Sequence, residues 1–248
     1  MLSLPAQDPL AVAVTSAIRA GDLDGLGRLL AAHPGLAGAR IVRHGEAAGE
    51  RSLLHIAVDW PGHRPRTAEV IRTLVAAGAD PGARFGGSHE ETPLHWAASN
   101  DDVPALDALV EAGADIEAPG AVLGGGTPLA DATGFGQWRA ARRLLDLGAR
   151  PTLWDAAALG LLGPVREFVA AGADPEEVTE ALWGACHGGR LSTARYLLSR
   201  GADINWIGHG SLTPLDAALT GEDIALIDWL RSCGARSRDE ILGRRPPN

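Results

Sequence analysis

Apolar residues along this chain recur with a helical period and stop at glycine. In Val103 to Ala112, Leu106, Leu109 and Val110 fall at i, i+3 and i+4, so one face of a helix is apolar. Gly113 follows, where a helix C-terminus tolerates positive φ. Ahead of it stands a shorter, Ala-rich segment opened by Thr92-Pro93. Threonine can cap there, and proline sits at the first helical position, where its missing N–H costs nothing. The same reading gives a pair at the start of the chain, Ala11–Ala20 and Leu23–Ala32, closed by His33-Pro34-Gly35. The unit predicted is therefore a short helix, a turn, a second helix and a glycine stop. One such pair cannot bury its own apolar face; stacked pairs can.

The unit repeats. Gly-Ala followed by Asp or Arg occurs at Gly78, Gly113, Gly148, Gly172, Gly201 and Gly234. Upstream stand Thr92-Pro93-Leu94-His95-Trp96-Ala97, Thr127-Pro128-Leu129 and Thr213-Pro214-Leu215, with Ser52-Leu53-Leu54-His55-Ile56-Ala57 as a looser copy. This phrase resembles the ankyrin repeat, whose period is about 33 residues and whose signature is T-P-L-H-x-A. The resemblance runs over about residues 10 to 240, and the chain is similar to bacterial-type ankyrin-repeat domain proteins. It implies an all-α ankyrin-repeat solenoid of about seven stacked helix-turn-helix units with projecting β-hairpin fingers. The whole chain, 1–248, reads as one domain. It divides into an N-terminal cap unit 10–51, units 52–91, 92–126, 127–150, 151–179 and 180–212, a C-terminal cap unit 213–243 and a tail 244–248.

The resemblance also implies that fingers and first helices line a concave binding face. Here the finger lengths differ. Gly78 to Thr92 and Gly113 to Thr127 each advance 14 positions and Gly201 to Thr213 advances 12. Gly148 is followed almost at once by Pro151-Thr152, and Gly172 reaches the next helix by about Glu180. Two truncated fingers between long ones predict a notch, walled by 82–90 and 117–126 on one side and 203–211 on the other. Trp154 and Trp183 occupy the consensus His position there, with Trp206 and His209 in the flanking finger. Aromatic walls with a few polar groups suit a ligand site. The competing reading is that these rings fill the volume the missing fingers vacate.

Composition narrows the partners. The net charge is −9, and the single basic cluster of note, Arg244-Arg245, is short. Phosphate backbones are thus poor partners, and nucleic acid is not expected. No apolar run approaches the roughly 20 residues that span a bilayer, and Met1 to Leu10 lacks a basic leader, so neither membrane nor secretion is expected. Two cysteines, Cys186 and Cys233, are too few for a disulfide framework and point to a reduced cytoplasm.

Individual residues sort by what their positions allow. The resemblance implies that His55 and His95 bond backbone and fix the turn. On adjacent helices about 8–10 Å apart they cannot share a metal ion, whose ligand bonds are about 2 Å, and no metal or cofactor is expected. Asp59 and Trp60 fall where the resemblance implies a concave-facing position, beside the insertion Pro61-Gly62-His63-Arg64-Pro65. Trp96, Asn100, Phe135 and His187 are equivalent or neighbouring candidates. Asp101-Asp102 opens a helix and reads as a cap. Cys186 reads as a buried thiol, because His187 points about 100° away and cannot serve it as a base. Gly124-Gly125-Gly126 lacks the lysine and spacing of a phosphate loop. Asp131, Asp155 and Asp216 favour helix starts.

Two functions follow. The resemblance implies a protein-binding module that recognises a partner on its concave face, with Trp60, Phe85, Phe135 and Trp206 as anchors. The alternative is a small apolar or aromatic ligand, or an unusual enzyme, in a notch lined by Trp154, Trp183, His187, His209, Asp131 and Asp155. No catalytic motif is recognisable, so no catalytic residue is nominated.

Overall fold

The computed structural model describes residues 2–43, 49–122 and 124–243. The tail 244–248, with Arg244-Arg245, lies outside them, as does Leu123 of the expected notch wall. The chain falls into two compact units, Met1–Arg150 and Pro151–Asn248.

The first unit opens with strand β1 (Ser3–Pro5), then helices α1 (Pro9–Ala20) and α2 (Leu23–Ala32), a short 3-10 turn, and strands β2 (Arg40–Arg43) and β3 (Gly49–Ser52). Three helix pairs follow: α3 (Leu53–Val58) with α4 (Thr67–Ala76), α5 (Pro93–Ser99) with α6 (Val103–Glu111), and α7 (Pro128–Gly134) with α8 (Trp138–Asp146). In the short first helices, Leu94, Ala97 and Ala98 of α5 and Leu129 and Ala132 of α7 are wholly buried. Small side chains there let neighbouring helices approach closely.

The recurring Gly-Ala-Asp phrase has a geometric cause. At Gly78, Gly113, Gly148, Gly201 and Gly234 φ lies between 87° and 98°. The alanine that follows returns its N–H to a carbonyl five residues back: Ala79 to Leu74, Ala114 to Leu109, Ala149 to Leu144, Ala202 to Leu197 and Ala235 to Leu230. Such 6→1 bonds close the helix and satisfy a carbonyl left over at its end. Where the next residue is aspartate, its carboxylate takes the N–H two positions on. Asp80 serves Gly82, Asp115 serves Glu117 and Asp203 serves Asn205, at 2.8–2.9 Å.

The fingers depart from expectation. Among the described residues the only strands are β1, β2 and β3. β2 pairs antiparallel with β3, and β1 pairs parallel with β2 at Leu4–Ile41. Three residues of β1 are too few to show a period, and only the distant partner at 40–42 makes them a strand. The 82–90 finger joins this edge through one bridge, Glu50 to Gly86, and otherwise stays a loop. Arg84 holds it by donating to the carbonyls of Glu90 and Pro119.

The second unit consists of α9 (Leu153–Leu159) with α10 (Leu162–Ala170), α11 (Pro175–His187) with α12 (Leu191–Ser199), α13 (Pro214–Thr220) with α14 (Ile224–Ser232), and a terminal turn α15 (Arg238–Ile241). Its core contains Leu153, Val165, Leu182, Leu197, Leu215 and Leu230. One boundary is corrected: the helix expected to begin at about Glu180 begins at Pro175. Asp174 caps the N–H groups of Glu176 and Glu177, and Glu177 returns a carboxylate oxygen to the Asp174 N–H. This capping box turns residues 175–179 into an extra turn of first helix where a finger would otherwise stand.

Candidate functional site

The sequence candidates gather into two groups. In the first unit Asp59, Trp60, Trp96, Asn100 and Phe135 line one solvent-open groove of about 520 Å³. Arg51, Glu91, Ser99, Val122 and Gln137 complete its wall. Nothing in the repeat phrase distinguishes these five; they reach the groove only through the fold.

Asp59 is a structural half of a charge pair. Its carboxylate takes a 3.0 Å bond from Arg51 and lies 3.7 Å from Arg19. The Arg51 guanidinium also sits over the Trp96 ring, 5.4 Å from its centre. Phe85 packs on the same tryptophan, with ring centres 5.3 Å apart. His55 meets Trp96 edge-on at 4.8 Å. His55 ties the two ends of its repeat unit together: Nδ1 bonds the Ser52 hydroxyl at 2.8 Å and Nε2 the Glu91 carbonyl at 3.1 Å. His95 does the same with the Thr92 N–H and the Gly126 carbonyl. Burial lowers both imidazoles from 6.5, His55 to about 3 and His95 to about 4. Both are fixed neutral, which is the turn-fixing role expected of them.

Glu91 is the chemically distinctive wall residue. It is 8% exposed. Burial raises its carboxyl above the usual range, a hydrogen bond with Trp96 opposes that shift, and nearby His89 opposes it less. Among the described residues it belongs to no ion pair.

Trp60 is 79% exposed and Phe135 46%. The insertion after Trp60 is held in place. Asn100 donates to the Val58 carbonyl at 2.8 Å, and the His63 imidazole bonds the Asn100 carbonyl at 2.8 Å. The His63 N–H donates to Asp102 at 2.7 Å, and Arg64 donates to the Asp59 carbonyl at 3.1 Å. Asp102 is also the cap of α6, bonding the Ala105 N–H, as its position predicts. Asn100 therefore anchors the loop more than it faces a guest.

The second group lies in the second unit. Trp154 and Trp183 stack with centres 6.5 Å apart, and His187 stacks on Trp183 at 5.4 Å. His209 meets Trp183 edge-on at 5.1 Å and Trp206 at 5.8 Å. Trp183 is buried and donates its indole N–H to the Leu212 carbonyl at 3.1 Å. Trp154 lies over Gly184, where a Cβ would come within 3.1 Å of the ring. Trp206 lies against Gly208, where a Cβ would come within 1.8 Å.

Asp131 and Asp155 are not surface groups. Asp131 is fully buried. Asp155 is buried in a capping box, taking the Thr152 N–H at 2.9 Å and its hydroxyl proton at 2.7 Å. Both were expected to line the notch; helix-start bonding puts the Asp155 carboxylate inside the turn instead. Asp216 repeats that box with Thr213. Cys186 is likewise buried, and its thiol is pushed up to about 12 by desolvation, as an inert core thiol should be.

Among the described residues, paired helices closed by left-handed glycines and stacked through short first helices define a helical repeat protein. A model of ankyrin repeats in three copies matches residues 54–155, and one of ankyrin repeats in many copies matches residues 182–231. The chain belongs to the ankyrin-repeat family, whose repeats are in general protein–protein interaction modules. No helix among the described residues is long and apolar enough to cross a membrane.

Proposed function

We propose that this chain is a protein-binding module that recognises its partner through the first-unit groove, with Trp60 and Phe135 as anchors on the face the family uses. The observation that carries this reading is Trp60 itself. A large ring exposed to 79% would ordinarily be withdrawn from water, yet the loop that presents it is pinned by four hydrogen bonds to neighbouring backbone and side chains. An aromatic side chain on an already ordered loop loses little freedom when a partner covers it. The two thiols, both free, agree with a cytoplasmic setting for such a module.

The small-ligand or enzymatic alternative has less support. Its aromatic residues stack on one another, Trp183 is buried with its N–H bonded, and Asp155 is occupied as a cap.

Panning a random peptide display library against the protein tests the proposal. Recovered binders should lose at least about tenfold in affinity for a Trp60→Ala/Phe135→Ala variant that unfolds at the same temperature as the wild type. Binders that hold both forms equally would overturn it.

A further inference from the structure

Resting on the reading of this groove as a recognition surface, we propose that it selects a basic segment of its partner: a lysine or arginine side chain enters between the Trp60 and Phe135 rings and sets its cation against the Glu91 carboxylate.

The charges of the groove lead there. Arg51, Asp59 and Glu91 are its ionisable wall residues. Asp59 is already claimed by Arg51 at 3.0 Å and by Arg19 at 3.7 Å, so among the described residues Glu91 is the wall carboxylate that belongs to no ion pair. A buried carboxylate in no ion pair is costly, and the cost is relieved by a positive group brought from outside. Burial of Glu91 already disfavours its charged form, so a guest cation would do more here than at an open surface carboxylate.

The aromatic walls point to the same guest. Trp96 already holds the guanidinium of Arg51 against one face, which shows that this lining accommodates a delocalised cation. Trp60 and Phe135 are exposed ring surfaces on the same groove with no cation of their own among the described residues. A long basic side chain fits such walls, with its methylene stem on the rings and its charged head at the carboxylate. The groove volume of about 520 Å³ accepts one or two side chains rather than a folded domain edge. The net charge of −9 draws a basic segment toward the chain before contact.

The test uses the full chain and decapeptides of identical flanks whose central residue is lysine, arginine, acetyl-lysine or glutamate. Binding is read from the indole N–H signals of Trp60 and Trp96 by NMR, which detects even millimolar complexes. The lysine and arginine peptides should shift both signals saturably, and the acetyl-lysine and glutamate peptides should bind at least about tenfold more weakly. Glu91→Gln should weaken the basic peptides by about the same factor; glutamine still accepts the Trp96 hydrogen bond, so the fold is preserved. Equal binding of lysine and acetyl-lysine peptides, undiminished binding to Glu91→Gln, or no binding of either basic peptide would overturn the assignment. Display-derived peptides that lose affinity for Trp60→Ala but not for Glu91→Gln would leave the interaction module standing and remove the cation site alone.

Discussion

Acid should loosen this fold through two particular histidines. His55 and His95 ionise near 6.5 when solvated, but in the folded chain burial lowers them to about 3 and about 4. Between those limits the unfolded chain binds protons that the folded chain does not, so stability falls as pH falls through that window. Above about 6.5 the contribution is complete. Lowering the pH from about 7 to about 5 protonates each solvated imidazole almost fully, which costs the folded state about 2 kcal/mol per histidine and about 4 kcal/mol for the pair. His95→Asn isolates one of them. The asparagine oxygen can take the Thr92 N–H in place of Nδ1, while the bond to the Gly126 carbonyl and the titration are both lost. Urea unfolding followed by tryptophan fluorescence at the two pH values gives the comparison. The variant should start less stable at about pH 7, yet lose about 2 kcal/mol less than the wild type on acidification. Carboxylates contribute alike to both proteins and cancel in that difference. Parallel losses, within about 0.5 kcal/mol, would show that His95 is not held neutral by burial and would refute the reasoning.

Four further outcomes follow from single contacts. Gly188→Ala should destabilise the chain by about 1–3 kcal/mol in thermal unfolding, because the added Cβ would stand 1.9 Å from the Ala158 carbonyl and force α9 from α11. Asp174→Ala removes the cap of α11 and should cost about 1 kcal/mol, with faster amide exchange over 175–179. Trp60→Ala should leave the unfolding midpoint unchanged within about 0.5 kcal/mol, as expected of a ring this exposed, while abolishing the anchor measured in the display experiment. A thiol reagent at neutral pH should modify Cys233 in the native protein and Cys186 only after denaturation, since Cys186 is buried and its thiolate is suppressed.

What could be read from the chain was what neighbouring residues decide among themselves. The Gly-Ala-Asp phrase, the Thr-Pro start and the i, i+3, i+4 spacing are local instructions; the helix they predict at Leu23–Ala32 stands in the structure, and the one predicted over Val103 to Ala112 runs Val103–Glu111 with Ala112 as its C-cap. The Pro175 boundary was equally local: Asp174-Pro175-Glu176-Glu177 is a capping box in plain view. The repeat phrase Thr-Pro-Leu does not contain it, so the repeat alone does not mark this helix start. β1 differs in kind, since Ser3–Pro5 becomes a strand only by pairing with residues 37 positions away.

The groove divides along the same line. Trp60 could be nominated from sequence because an aromatic residue beside a proline-rich insertion interrupts the repeat. Glu91 could not, because its meaning depends on Arg51 having already been claimed by Asp59, 8 positions on, and on Trp96 turning its ring toward Arg51. A carboxylate next to Thr92 reads in sequence as a solvated residue at a finger base. Only the assembled groove shows that Asp59 is held by Arg51 and Arg19 while Glu91 belongs to no ion pair among the described residues, and the chemistry of the proposed guest follows from that contrast rather than from any motif. In a repeat protein the signature residues build the stack, as His55 and His95 do here. Recognition then falls to positions where the repeat leaves the residue type unspecified, which is why the fold was legible along this chain and its binding chemistry required the assembled groove.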